Sequence, residues 1–184
     1  MMDPAAVAAL VRRFEAPGDG EALKSRDLVL MLLACAPEPF SRHHFTPGHV
    51  TATGLVLGLD GRQILLVHHR RLDRWLTPGG HVEPEDASPG EAARREVIEE
   101  TGVSLLGSAD SPLVGIDVHG IPAKGAEPYH LHHDLLFLFR AAAEGLQVSA
   151  ESHDAVWCGP DQFDHYGVPA NIRRAYARVL STEY

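Results

Sequence analysis

GGHVEPEDASPGEAARREVIEETGV, residues 79–103, carries the start and stop signals of a single helix. Ser88 is placed to cap its N-terminus, Pro89 suits the first helical position, and Glu91 completes an S-x-x-E capping box. Gly102 accepts the left-handed conformation that ends many helices. Between the caps, Glu96, Glu99 and Glu100 stand at i, i+3 and i+4, which confines the three carboxylates to roughly a third of the helix circumference. Like charges on one stripe repel. Arg95 can pair with Glu99 one turn on, but one guanidinium cannot neutralise three carboxylates. Carboxylate oxygens are the ligands that hard divalent cations such as Mg²⁺ take. An arbitrary E-x-x-E-E is usually a solvated acidic face, so the residues leading into the helix decide between the two readings.

Those residues favour a site. Trp75-Leu76-Thr77 reads as strand, and Pro78-Gly79-Gly80 as a tight loop that lets backbone come close to a ligand. The whole arrangement resembles the Nudix box, whose family pattern is G-x5-E-x7-R-E-U-x-E-E-x-G-U, with U a bulky aliphatic. Gly80, Arg95, Glu96, Val97, Glu99, Glu100, Gly102 and Val103 match it. In one place the chain departs: Asp86 stands where the family has its first Glu, and eight residues rather than seven separate it from Arg95. In the family that first Glu is a supporting residue, so the departure touches loop geometry more than metal chemistry.

The resemblance implies an α/β/α sandwich with a mixed sheet and hydrolysis of a nucleoside diphosphate linked to a further group. It implies Mg²⁺ or Mn²⁺ held by Glu96, Glu99 and Glu100, with Glu99 and Arg95 catalytic and Gly79 and Gly80 shaping the substrate loop. Many family members carry an extra acidic metal ligand or base before a late strand, a catalytic place that Glu151 fills better than Asp154. A Nudix-fold sensor that binds a nucleotide without cleaving it is the alternative. Such proteins usually lack some of the acids that this chain keeps. Isomerisation of an isoprenoid diphosphate uses a cysteine in that family, and neither Cys35 nor Cys158 is placed for it.

The rest of the chain fits a soluble enzyme. Its 184 residues suit one domain, with 45% hydrophobic and 22% charged residues. A formal net charge of −9 argues against nucleic acid as a partner and leaves an anionic substrate to be received by a local field of metal and arginines. Two cysteines are too few for a disulfide framework, so buried, reduced thiols and a cytoplasmic location are expected. The apolar run Leu28–Ala36 is too short to span a bilayer. It reads as a buried helix rather than as an export signal cleaved ahead of Cys35, because Asp27 directly precedes it.

An earlier helix starts at Asp3-Pro4 with Val7, Leu10, Val11 and Phe14 on one stripe, and Pro17-Gly18-Asp19-Gly20 breaks it. Residues 1–40 are therefore expected to be a helical extension packed on a 41–184 core, or on a second subunit in a homodimer. From His49 the period becomes that of strands: 49–58, 64–67, 113–119, 129–141 and 155–157, with Pro169 opening a last helix. Within 129–141, His130, His132 and Asp134 alternate onto one face. His-x-His-x-Asp on a strand can bind a transition metal, but the expectation here is that His130 and His132 line the substrate pocket. Arg70 and Arg74, just ahead of the Gly-Gly loop, are candidates to grip a phosphate.

Overall fold

In this computed structural model, which describes residues 2–107, 111–150 and 152–182, the chain begins with helices α1 (Pro4–Arg12) and α2 (Gly20–Cys35). Strands β1 (Gly48–Leu57), β2 (Ile64–His69), β3 (Arg74–Leu76) and β4 (Gly79–His81) follow and lead into helix α3 (Pro89–Thr101). Strands β5 (Leu113–Ile121), β6 (His130–Arg140) and β7 (Ser152–Cys158) precede the last helix, α4 (Ala170–Ser181).

The sheet is mixed and branches at β1. One edge of β1 runs parallel to β6 from Gly48↔Leu131 to Leu57↔Arg140, and β5 lies antiparallel on the far side of β6. Its other edge is shared. β4 pairs with Thr51–Thr53, whereas β2 meets β1 at Leu57↔Ile64. β2 is flanked in turn by β3 and β7, so two wings diverge from one strand.

Alternation along the strands builds two cores. Val50, Ala52 and Val56 on β1, with Leu135, Phe137 and Phe139 on β6, pack beneath α1, α2 and α3. Leu55, Leu57, Leu136 and Leu138 face the opposite way, onto Ile172, Ala175, Tyr176 and Val179 of α4. That second face turns polar past Leu55 and Leu136: the next side chains are Thr53, Thr51 and His49 on β1, and Asp134, His132 and His130 on β6.

The first two helices are part of the main core. Val7, Val11, Phe14, Val29, Leu32 and Leu33 are buried in it. Asp19 caps α2 by accepting from the Ala22 amide (3.2 Å) and also receives Arg174 Nε (2.9 Å) and Arg178 Nη1 (2.7 Å) from α4. The apolar run Leu28–Ala36 is only half buried, because Leu28 and Met31 lie on the outer side of a helix that begins earlier, at Gly20. Of the two thiols expected to be buried, Cys158 is; Cys35, in the last turn of α2, is exposed. Gly79 and Gly80, expected in a Pro78-Gly79-Gly80 loop, instead open the short strand Gly79–His81, because β1 offers it an edge at Thr51–Thr53. Among the described residues no helix is long and apolar enough to cross a membrane.

Candidate active site

Helix α3 forms as its caps dictate. Ser88 Oγ accepts from the Glu91 amide at 3.1 Å, and Gly102 ends the helix at φ 62°. The Glu91 carboxylate reaches the Ala87 amide (2.9 Å), one residue before the expected partner. Ala92, Ala93, Val97 and Thr101 are buried. Val97 packs directly against Gly54 of β1, where a Cβ would collide with it. This close contact sets the rotation of α3, turning Glu96 and Glu100 toward β4 and leaving Glu99 59% exposed.

β4 receives them with glycines. The Gly79 amide donates to Glu100 Oε2 at 3.0 Å. At Gly80 a Cβ would stand 2.6–2.7 Å from the Glu96 carboxylate atoms, so the bare backbone is what leaves room for that group. Arg95 ties the rest together. Its Nη1 donates to Glu96 Oε1 (2.9 Å) and Glu99 Oε2 (3.0 Å), and its Nη2 to the His81 carbonyl (2.9 Å). Nε and Nη2 together hold both oxygens of Asp86, which also accepts from the Glu83 amide at 2.8 Å. Hydrogen bonds donated to Asp86, then to Glu96, bind the Arg95 proton more firmly than usual, against the opposing effect of burial.

The donor set suits a hard divalent cation: carboxylate oxygens on one helix face, facing a strand whose glycines leave space. One positive charge spread over Asp86, Glu96 and Glu99 leaves the group negative, which favours a cation further.

The arginines before the loop have different partners. Arg70 Nε is committed to the Ser152 carbonyl of β7 at 2.9 Å. Arg74 is exposed on β3, and its positive charge is felt weakly at His119. Arg71 pairs with Glu127 at 2.8 Å. Glu151 lies outside the described residues, and Asp154 is exposed, accepting from the amide of Ala155 (2.8 Å).

The histidine strand gathers more imidazoles than its own. The register places His49 beside His132, His119 opposite His132, and His81 opposite Thr51. His81 therefore shares the face of Thr51, whereas its neighbour Gly80 faces Glu96. Burial, reinforced by the neighbouring imidazoles, lowers His132 to about 2; burial first, then nearby positive charges, lowers His49 and His81 to about 4. His119 moves the other way, because its Nδ1 lies 2.9 Å from the Asp117 carboxylate. Beneath them Asp134 accepts from Thr51 (2.9 Å) and Thr53 (2.7 Å), and burial raises it above its ordinary value.

Sequence reasoning missed His49 and His81. Each belongs to a separate strand, and only the pairing of β1 with both β4 and β6 brings them to His132. The high histidine count, 12 in the chain, was the one signal available.

The family model described as the NUDIX domain matches residues 47–180. A Bacillus subtilis protein provisionally named 8-oxo-dGTP diphosphatase is 32% identical over 115 residues, 62% of this chain and 70% of its own. Human diphosphoinositol polyphosphate phosphohydrolase 3-alpha is 57% identical over 42 residues, 22% of this chain and 25% of its own. Among solved structures, an Ap4A hydrolase binary complex from C. elegans superposes with a TM-score of 0.56 at 22% identity, covering 72% of this chain and 98% of that one. A NUDIX hydrolase from Nitrosomonas europaea gives a TM-score of 0.52 at 22% identity, over 73% of this chain and 95% of its own. Both support the fold.

Proposed function

The chain belongs to the Nudix family of pyrophosphohydrolases, and from that premise we propose that it cleaves the phosphoanhydride bond of a nucleoside diphosphate linked to a further group, with Mg²⁺ or Mn²⁺ held by Glu96, Glu99 and Glu100. What carries this reading is the stripe of three glutamates set against Gly79-Gly80 and braced by Arg95.

A pyrophosphate link is anionic and repels an incoming hydroxide. A bound divalent cation supplies charge neutralisation at the phosphate oxygens and lowers the pKa of a bound water. The chain's own groups do the positioning. Arg95 fixes the orientation of Glu96 and Glu99 through a single guanidinium. The Gly79 amide orients Glu100. Glu99, the most exposed of the three, would accept a proton from the attacking water. Of the arginines before the loop, Arg74 has the freer approach to a phosphate, since Arg70 is tied to Ser152. His130 lies beside Arg71 and Glu127 in a cavity of about 30 Å³, which has room for a water and not for a nucleotide.

The name of the Bacillus relative favours a nucleotide substrate, whereas the short match to the human relative brings in a phosphorylated inositol as competitor. The test is a screen of nucleoside triphosphates, oxidised nucleotides, nucleotide sugars, dinucleoside polyphosphates and a diphosphoinositol polyphosphate, each with Mg²⁺ or Mn²⁺, scored by product release. Cation-dependent turnover of a nucleoside diphosphate derivative is expected. Turnover of the inositol compound alone, or of nothing by a folded protein, overturns the proposal.

A further inference from the structure

Behind Gly79 and Gly80 of β4 stands a second set of potential metal ligands, separate from the carboxylates. His49 of β1, His81 of β4 and His132 of β6 have ligand atoms that all lie within 4.8 Å of one another. Their ring centres form a nearly equilateral triangle with sides of 5.1, 4.9 and 5.4 Å. An imidazole nitrogen lies about 1.1 Å from its ring centre. Three ligands at about 2.0–2.1 Å from a zinc ion in tetrahedral directions therefore put their ring centres about 5.2 Å apart. The rings are already at that spacing.

The protonation pattern agrees. His49 Nδ1 lies 3.2 Å from the His44 carbonyl, which can only accept, so Nδ1 carries the proton and Nε2 the lone pair. Metal-ligating histidines are commonly oriented in this way, through a carbonyl on the other nitrogen. His49 is 1% exposed, and its Nε2 is buried with no hydrogen-bond partner among the described residues. A buried nitrogen lone pair without a partner is costly unless something fills the place. His130 stacks on His49 at 5.1 Å and walls the group. A cavity of about 30 Å³, lined by His81, His132, His130, Arg71 and Glu127, opens beside it and has room for a water as fourth ligand.

We propose that His49, His81 and His132 bind a Zn²⁺-class transition-metal ion, on the opposite side of β4 from the carboxylate helix, and that this ion fastens β4 to β1 and β6. Three neutral nitrogens suit a borderline metal and are poor ligands for Mg²⁺, so the two sites select different ions. His132 then has a different role from the pocket lining that the sequence suggests. Because the ion joins three strands, its binding also raises the melting temperature of the protein.

The experiment uses the full chain, stripped of metal, with Zn²⁺ titrated against a chromophoric chelator and Co²⁺ followed by its visible spectrum. Wild type, His81→Gln, His132→Gln and a Glu96→Gln/Glu99→Gln double variant are compared, each checked for fold by circular dichroism. The expected result is one Zn²⁺ per chain and the intense bands of four-coordinate Co²⁺, weakened at least about tenfold in either histidine variant and retained in the glutamate variant. Zinc binding that survives both histidine replacements, or is lost with the glutamates, overturns the proposal, as does a wild type that binds no Zn²⁺ stoichiometrically. Should one histidine variant fail to fold, the wild-type Co²⁺ spectrum and the other variant decide. None of these readouts depends on which substrate is cleaved, so this site stands or falls apart from the hydrolase reading.

Discussion

Asp86 grips Arg95 with both carboxylate oxygens, Oδ1 receiving Nε at 3.1 Å and Oδ2 receiving Nη2 at 2.9 Å. The pair joins the loop after β4 to the middle of α3, and the same guanidinium continues to Glu96 and Glu99. Asp86 is 7% exposed and the Arg95 side chain 26%, so the pair is shielded on one side only. A shorter acid at a longer spacing thus still reaches its arginine.

Removing that acid leaves the guanidinium half-buried and holding only the two glutamates and the His81 carbonyl. Asp86→Ala is expected to cost about 2–3 kcal/mol, less than a fully buried pair because Arg95 keeps some solvent. Turnover should fall at least about tenfold as Glu96 and Glu99 lose their brace. Urea unfolding and steady-state kinetics check both; a variant as stable and as active as wild type excludes the bracing role.

Gly80→Ala separates geometry from stability. The added methyl meets the far end of the Glu96 side chain, 2.6 Å from Cδ, which can swing aside at little cost to the fold. The expected outcome is a melting temperature within a few degrees of wild type and a turnover reduced about tenfold or more, because the displaced carboxylate is one of the proposed ligands. Unchanged turnover would detach Glu96 from the chemistry.

Glu99→Gln and Glu100→Gln each remove a negative charge without changing shape. Turnover is expected to drop at least about a hundredfold in each, with the fold intact by circular dichroism. In Glu100→Gln the side-chain amide oxygen can still accept from the Gly79 amide, so the contact that seats this side chain on β4 is kept. Wild-type turnover in both folded variants rules out the metal assignment.

Asp19 supplies a pH test that uses none of the proposed ligands. Burial alone would raise its carboxyl, but the Ala22 amide and the guanidiniums of Arg178 and Arg174 reverse this and hold it below 3.8. As pH falls the unfolded chain therefore takes up this proton first. The stabilisation is complete above the unfolded value near 3.8 and is lost as pH drops through the lower folded value. Asp19→Asn should cost about 1–3 kcal/mol at neutral pH and flatten the acid limb of a stability–pH curve. An unaltered acid limb would contradict the assignment.

What sequence made legible here was local. Helix α3 was readable because Ser88, Pro89, Glu91 and Gly102 are signals within one segment, and β6 because alternation turns to unbroken apolarity at Leu135. What escaped depended on pairing between distant segments. Pro78-Gly79-Gly80 looks like a loop until β1 provides an edge for Gly79 and Gly80, and His49 looks like an ordinary strand residue until β6 sets His132 beside it. Arg70 and Arg74 are alike in sequence, but only the position of β7 ties one of them to Ser152.

The reach of Asp19 to Arg174 and Arg178 bears on how the protein is made. Residues 4–35 are polymerised well before residues 170–181, by roughly seven to thirty seconds at ordinary elongation rates. Throughout that interval Asp19 has no guanidinium, and the apolar stripe of Val7, Val11, Val29 and Leu32 waits for a sheet still being assembled. A nascent chain in this state is a natural client for a chaperone that shields short apolar helices. Mutations in α4 should accordingly show themselves first as lower soluble yield, before any change in the rate of the finished enzyme.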